Sequence, residues 1–128
     1  LSGEYSLVKA AKKIATMGPK TLVIKKGEHG ALLFHNNEVF FAPALPLEEV
    51  FDPTGAGDTF AGGMMGHIAR SQDVSFENLK RGILYGSAMA SFCVEQFGTQ
   101  KMEDLEQDQI KNRMYQFINL TQVELELA

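Results

Sequence analysis

Apolar residues recur at helical spacing in four stretches of the chain, and this pattern predicts four helices. Three shorter apolar runs lie between the first two stretches and have the length and composition of strands. The predicted helices cover Glu4–Met17, the segment after Asp58 to about Arg70, the segment from Ser75 to Gly98, and Leu105–Leu120. The predicted strands cover Thr21–Lys25, Ala31–Phe34 and Glu38–Ala42. Helices and strands in this order predict an α/β fold.

Short turns connect the predicted strands. The first strand follows a helix after the brief turn Gly18-Pro19, an arrangement that is half of a βαβ unit, and its β-branched apolar residues predict that it is buried. Asn36-Asn37 joins the other two strands into a hairpin, which we expect at the edge of the sheet.

The apolar stripes predict which side chains form the core. The helix from Ser75 is apolar nearly all round, so we expect it to be buried. The inward residues of the helix before it are predicted to be Phe60, Ala61, Met64, Met65 and Ile68. Those of the last helix are predicted to be Ile110, Met114, Phe117 and Ile118. Each glycine inside a helix reduces the stability of the helix by about 1 kcal/mol relative to Ala. Glycines in such positions usually mark a close approach, so we expect another backbone or a ligand near Gly62, Gly63 and Gly66.

Composition and charge narrow the kinds of partner. A chain of 128 residues with 45% apolar residues fits one globular domain. The formal net charge of -4 gives no general attraction for nucleic acid or for an anionic membrane, so neither partner is expected. The single cysteine, Cys93, fits a reducing, cytoplasmic location, and no apolar run approaches the length of a membrane span. Because the chain opens at Leu1 in helix-like sequence, we expect it to be a piece of a longer protein.

The segment Asp52–Gly63 carries the candidate chemistry. Pro53 and two closely spaced glycines, Gly55 and Gly57, make a tight turn, and small and apolar residues at helical spacing follow directly. The first backbone N–H groups of such a helix have no intrahelical partner and lie at the positive end of the helix dipole. Anions bind at such a place, and Asp58 in the same first turn puts a carboxylate base beside it. The combination suggests phosphoryl transfer.

Two common phosphate-binding loops do not fit this segment. A Walker-type loop requires Gly-Lys-Ser/Thr at its end, whereas Gly57 is followed by Asp58. The dinucleotide-binding fingerprint requires a third glycine where this chain has Phe60. An ordinary glycine-rich helix start is the remaining structural alternative, and the two carboxylates of Asp52 and Asp58 around the turn argue against it.

The motif Asp52–Phe60 (DPTGAGDTF) closely resembles the second signature of the PfkB family, the ribokinase-like sugar and nucleoside kinases. Its one departure is Pro53, a turn residue, where the family commonly has Thr. The order of elements also resembles the family, to about Leu120. The resemblance implies a ribokinase-like, three-layer αβα (Rossmann-like) fold, with residues 1–128 as its C-terminal nucleotide-binding part. The family places its sugar-binding residues and its lid in an N-terminal part, which this chain lacks.

The resemblance also implies roles for the residues of the motif. Asp58 would be the catalytic base that takes the proton from the substrate hydroxyl. The backbone amides of Gly55, Ala56, Gly57 and Asp58 would form the anion hole for the transferring phosphoryl group. Asp52 and the backbone at Thr54 match positions that hold a monovalent cation, such as K⁺, in many family members.

The nucleotide is expected beside a second set of residues, which the resemblance also assigns. Lys25, Gly27 and Gly30 match the strand end and turn that run beside the ATP phosphates and adenine. The loop at Gly98 matches the region that completes the cation and nucleotide site. Mg²⁺ would arrive with ATP, bound mainly through the phosphates and water.

Several alternatives stay open at this point. A non-catalytic binding or assembly module would keep the same fold, and the phosphorylated alcohol could belong to a sugar or to a nucleoside. The exposed edge of the sheet could support a homodimer. His29, His35 and His67 show no spacing typical of a metal site, and Cys93 is expected to pack as a small buried hydrophobe.

Overall fold

The computed structural model describes residues 6–26, 29–44, 55–95 and 106–122. These residues form four helices and three strands in the order predicted, which confirms the α/β fold. The elements are α1 (Leu7–Ala15), β1 (Thr21–Lys25), β2 (Ala31–His35), β3 (Glu38–Ala42), α2 (Ala56–Ser71), α3 (Phe76–Glu95) and α4 (Gln107–Thr121).

The three strands form an antiparallel sheet in the order β1-β2-β3. The hairpin of β2 and β3 is therefore confirmed, and β3 lies at an edge of the sheet that the structure describes. Leu33 in the central strand faces Val23 of β1 and Phe40 of β3. β1 is half-buried and not buried as predicted, because Thr21 and Lys25 at its ends are exposed.

Both turns of the sheet depend on residues with a positive φ angle. Gly30 closes the turn after β1 with φ of 89°, and a side chain there would overlap the carbonyl oxygen of Ala42. Asn36 has φ of 54°, and its N–H donates to the carbonyl of Lys20 at 3.2 Å. Gly and Asn tolerate this backbone region better than other residues, so the strand register follows from their positions.

The core lies between one face of the sheet and the helices α2 and α3. Leu33 and Ile83 are fully buried at its centre, as expected for close-packed aliphatic side chains. The buried residues of this cluster are Ala31, Leu33, Ala42, Phe60, Met64, Leu79 and Ile83. The two helices thus pack against one side of the sheet. This packing places the first turn of α2 near the end of β1.

Helices α2 and α3 approach each other closely at a seam of glycines, which we call the glycine seam: Gly63, Gly82 and Gly86. A Cβ at Gly86 would lie 2.5 Å from the carbonyl oxygen of Phe60, and one at Gly63 would lie 3.1 Å from Cα of Gly86. The expected close approach is confirmed at Gly63. At Gly62 and Gly66 no described atom outside the glycine's own helix comes within 4 Å of such a Cβ, so no close backbone is found there in the described part of the chain.

Three of the side chains predicted to face inward do not. Met65 is 58% exposed, Ala61 is exposed, and Ile118 on α4 is 40% exposed. Each follows a buried residue directly, and one step along a helix turns the side chain by about 100°. The packed rows are Phe60 with Met64 on α2, and Ile110 with Phe117 on α4.

A buried amide fixes the corner between α2 and α3. The hydroxyl of Ser75 accepts a hydrogen bond from the N–H of Asn78, which confirms Ser75 as the N-cap of α3. The side chain of Asn78 donates to the hydroxyl of Ser71 and to the carbonyl of Asp73, each at 2.7 Å. The N–H of Ser75 donates to the carboxylate of Asp73 and lowers the pKa of that group. Asn78 is 4% exposed, and its amide oxygen also pairs with His67.

Helix α4 is attached to α3 through Arg113. Its guanidinium donates to the hydroxyl of Ser91 at 2.8 Å, pairs with the carboxylate of Glu95 and lies 4.1 Å from the ring centroid of Phe92. Among the described helices none is both long and apolar enough to cross a membrane.

Candidate active site

The candidate site is the turn that begins α2. Gly55 is the residue before the helix and has φ of 83°, in the left-handed region that favours glycine. Among the described residues, the first backbone hydrogen bond of the helix runs from the N–H of Thr59 to the carbonyl of Gly55 at 2.9 Å. The hydroxyl of Thr59 donates to the same oxygen, also at 2.9 Å.

Three amides precede that first bond. The N–H groups of Ala56, Gly57 and Asp58 lie in the first turn, where an α-helix offers no intrahelical acceptor. Gly55 has no side chain to cap them, and they lie at the positive end of the helix dipole. The side chain of Asp58 is exposed in the same turn. The arrangement can hold an anion next to a carboxylate.

A lysine from the sheet lies against this turn. The ammonium of Lys25, at the end of β1, donates to the carbonyl of Gly57 at 3.2 Å. The same ammonium lies 6.0 Å from the ring centroid of Phe60. The structure thus brings together two residues, Lys25 and Gly57, that the sequence predicted as separate parts of one site.

The turn after β1 lies directly beyond Lys25. The N–H of Lys26 donates to the carbonyl of Gly30 at 2.7 Å, which folds the chain back into β2. Gly30 is therefore placed near the strand end that carries Lys25, as the sequence predicted, and its own contacts are with Ala42 and Pro43.

The end of α3 reaches the other side of the glycine turn. A Cβ on Gly55 would lie 4.0 Å from the sulfur of Cys93, which is 2% exposed. The prediction that Cys93 packs as a small buried hydrophobe is confirmed. Its burial makes it part of the wall behind the turn.

Four predicted site residues lie outside the described residues: Gly27, Asp52, Thr54 and Gly98. In the ranges that the structure does describe, no three His, Cys, Asp or Glu side chains converge as a metal site would require. His35 pairs with the hydroxyl of Thr21 at 2.8 Å and His67 with Asn78 at 3.0 Å.

A second concave surface lies at the far end of α2. This groove of about 450 Å³ is lined by His67, Arg70, Ser71, Tyr85 and Gln107. The ring of Tyr85 stacks on His67 at 5.4 Å and lies 5.3 Å from the guanidinium of Arg70. None of the predicted site residues lines it.

Sequence reasoning missed two features of the site. The bond between Lys25 and Gly57 joins residues 32 positions apart, and no local spacing indicates it. Gly82 and Gly86, which let α3 approach α2, were also missed. Each lies inside a helix predicted to be buried, and the low helix propensity of glycine could have indicated a close approach there.

Comparison with known proteins places the chain in a family. Residues 3–106 match the pfkB family carbohydrate kinase. A nucleoside kinase of Methanothermobacter thermautotrophicus is 40% identical over 84 residues, which are 66% of this chain and 25% of that protein.

Solved structures agree. The crystal structure of aminoimidazole riboside kinase from Salmonella enterica, complexed with aminoimidazole riboside and an ATP analog, matches with a TM-score of 0.74 at 30% identity and covers 89% of this chain and 38% of that one. A fructokinase from Vibrio cholerae O395, in a fructose-, ADP- and potassium-bound form, has a TM-score of 0.72 at 21% identity. The match covers 91% of this chain and 36% of the fructokinase, and it shows the shared fold.

These proteins are much longer than this chain, which spans about a quarter of the curated relative and somewhat over a third of the solved structures. The matched residues include the glycine turn, the strand end with Lys25 and the buried helix α3. The chain belongs to the pfkB family of carbohydrate kinases.

Proposed function

We propose that this chain is the C-terminal, nucleotide-binding and catalytic part of an ATP-dependent kinase that phosphorylates a hydroxymethyl group of a sugar or nucleoside. The observation that carries the proposal is the exposed carboxylate of Asp58 in the same helical turn as the amides of Ala56 and Gly57. Phosphoryl transfer to an alcohol requires a base and a place for the phosphoryl charge, and this turn offers both.

Asp58 is the base in this proposal. The hydroxyl oxygen of the substrate attacks the γ-phosphorus, the bond from that phosphorus to the bridging oxygen breaks, and ADP leaves with the bond's electron pair. The hydroxyl proton passes to the carboxylate of Asp58. Because the transition state of phosphoryl transfer is loose, the proton leaves late, so the position of the carboxylate matters more than its basicity.

The amides of Gly55, Ala56, Gly57 and Asp58 form the anion hole. They are fixed by the helix before the reaction begins, so stabilising the charge on the phosphoryl oxygens requires no rearrangement. The left-handed backbone of Gly55 starts the helix, and Gly55 has no side chain that could cap these amides. The turn thereby supplies electrostatic stabilisation without a side chain.

The nucleotide lies beside Lys25, Gly27 and Gly30 in this proposal, with the loop at Gly98 completing its site. The exposed end of β1 at Lys25 and its contact with Gly57 support this placement. Mg²⁺ would neutralise the ATP phosphates. Asp52 and the backbone at Thr54 would hold a monovalent cation such as K⁺, as the resemblance to the family implies.

The proposal also covers the class of the phosphoryl acceptor and the cellular compartment of the protein. The residues Phe60–Gly63 resemble those of the sugar kinases, whereas the 40% identical relative is a nucleoside kinase. An assay with both classes of acceptor decides between them. Cys93, the single cysteine, supports a reducing, cytoplasmic location.

Catalysis is tested by Asp58→Asn in the complete protein, assayed with ATP against a panel of sugars and nucleosides. Removing the base should lower kcat about 10²- to 10⁴-fold while the affinity for ATP changes little. Asp108→Asn is the matched control, since Asp108 is likewise an exposed carboxylate in the first turn of a helix, α4. The isolated 128-residue chain should bind ATP weakly and turn over no substrate.

A non-catalytic binding or assembly module is the alternative. It predicts no phosphorylation of any acceptor by the complete protein. Undiminished kinase activity in Asp58→Asn would leave a kinase but show that the base is another residue.

A further inference from the structure

Helix α4 carries no residue of the motif Asp52–Phe60, but one of its side chains is fixed to the end of α3. The side chain of Arg113 is only 13% exposed. Its Nη1 donates to the hydroxyl of Ser91 at 2.8 Å and pairs with the carboxylate of Glu95, which gives both N–H groups of that nitrogen an acceptor. The guanidinium also lies 4.1 Å from the ring centroid of Phe92. Arg113 therefore contacts three of the last five residues of α3.

The charge of Arg113 suits the place where it lies. The last carbonyl groups of a helix form the negative end of its dipole, and α3 has no basic residue of its own in its last turn. The guanidinium of Arg113 supplies a positive charge there from the neighbouring helix. A guanidinium is also planar and donates in fixed directions, so its bonds and its stacking on Phe92 define how α3 and α4 are placed relative to each other.

The same turn of α3 reaches the candidate site. Cys93 directly follows Phe92, and its sulfur lies 4.0 Å from the position of a Cβ on Gly55. Gly55 is the left-handed residue that starts α2, and Asp58 lies three residues beyond it. A row of contacts thus leads from Arg113 through the last turn of α3 to the glycine turn. If that turn of α3 shifted, the wall behind Gly55 would shift with it.

We infer that Arg113 is a positioning residue for phosphoryl transfer: it fixes the last turn of α3, which holds Cys93 behind Gly55 and so keeps the turn amides and Asp58 in place. The inference rests on the proposed function and extends it to a helix outside the motif. The amides act on charge that develops in the transition state, so their displacement should lower kcat more than it weakens substrate binding.

The first test measures the kinetics of Arg113→Met in the complete protein. We expect kcat to fall about 10- to 100-fold, because a displacement of the order of 1 Å at a reacting group has an effect of this size, while KM for ATP and for the alcohol changes little. Arg113→Lys keeps a positive charge near Glu95 but loses the planar stacking on Phe92, so it should recover part of kcat.

Ile110→Val is the matched control on the same helix. Ile110 is buried and lies about one turn before Arg113, toward Gln107, which lines a groove together with Tyr85 and so lies away from the end of α3. The variant loses one buried methyl group of α4 without loss of charge, and kcat should stay near the wild-type value. Equal losses of kcat in Ile110→Val and Arg113→Met would reflect a general loosening of α4 and would overturn the inference.

The second test does not depend on activity. Cys93 is 2% exposed, so a maleimide can react with it only when the end of α3 opens. In the folded protein without substrates, Arg113→Met should raise the labelling rate of Cys93 about 10-fold, and Ile110→Val should leave it near the wild-type rate. Mass spectrometry of the peptide that carries Cys93 measures this residue alone. Chemical denaturation checks that the labelling precedes global unfolding.

The outcomes separate this inference from the proposed function. Unchanged kcat in Arg113→Met would overturn the inference, even with faster labelling of Cys93, as would a loss confined to KM. Ser91→Ala removes only the hydroxyl acceptor, and it should give a smaller change in the same direction if Arg113→Met does not fold. The proposed function fails instead if the wild type phosphorylates no acceptor. In that event the labelling rate decides whether Arg113 holds the wall of the glycine turn, and an unchanged rate overturns it.

Discussion

The glycines at which α2 and α3 pack together have a different role from the glycine in the first turn of α2. At Gly86, on the α3 side of the glycine seam, the place of the missing Cβ is filled by backbone, since the carbonyl oxygen of Phe60 lies 2.5 Å from that point. In the first turn the corresponding place on Gly57 is filled by the movable ammonium of Lys25. Gly86 allows two helices to pack closely, whereas Gly57 leaves room for the side chain of Lys25 at the surface.

The comparison shows that the neighbour decides the role of the glycine. A backbone neighbour cannot move away, so a side chain in the glycine seam must push α2 and α3 apart. A flexible side chain can move, so a substitution in the turn disturbs the site more than the fold. Substitutions in the glycine seam should therefore affect mainly stability, and substitutions in the first turn of α2 should affect mainly function.

Gly86→Ala should have the largest effect on stability. The added methyl meets the backbone of Phe60 in a packed interface, and such overpacking costs about 1–3 kcal/mol, with this site near the upper end. Chemical denaturation of the complete protein would measure the loss. At a temperature where the variant remains folded, kcat should stay near the wild-type value, and a loss of kcat without a loss of stability would contradict the comparison.

Gly55→Ala should have a smaller effect on stability and a larger one on activity. The left-handed backbone costs a residue with a side chain about 1–2 kcal/mol, while the nearest described atom, the sulfur of Cys93, is far enough away to avoid a clash. The strain is relieved by rotating the turn, which moves the amides of the proposed anion hole. Gly55→Asn is the control, because Asn tolerates this backbone better and should recover part of both losses.

Gly63→Ala and Gly62→Ala should differ in sign although the positions are adjacent. A methyl group on Gly63 lies 3.1 Å from Cα of Gly86 and from the side chain of Met89, so it should destabilise the fold by about 1 kcal/mol. Gly62 has no described atom within 4 Å of an added Cβ, so the gain in helix propensity should stabilise the chain by up to about 1 kcal/mol. Melting temperatures of the two variants measure the difference. Equal shifts would show that the seam does not constrain α2.

Local patterns in the sequence were enough to predict most of the fold. The spacing of apolar residues located the four helices and three strands that the structure describes, Ser75 was identified as an N-cap, and Asn36-Asn37 was identified as a hairpin turn. These features depend on residues within a few positions of one another. The motif Asp52–Phe60 indicated the family for the same reason, since its chemistry is contained in nine consecutive residues.

The errors arose where the burial of a side chain depends on a single step along a helix, or where a contact involves a residue far away in the sequence. Met65 and Ile118 are as apolar as their buried neighbours, and only the crossing of the helices determines which of two adjacent side chains is covered. The contact of Lys25 with Gly57 depends on how the sheet and α2 dock, and the sequence carries no periodic signal for it. The roles proposed for Asp58 and the turn amides stay predictions.

The order of the elements has a consequence for how the chain folds. The main pairings join elements that follow each other, β1 with β2, β2 with β3, and α2 with α3, so little chain entropy is lost in closing each of them. We expect a three-strand meander and a helical hairpin to form early as separate units, then dock through Leu33 and Ile83. The contact between Lys25 and Gly57 spans both units, so the site would be assembled only in that last step.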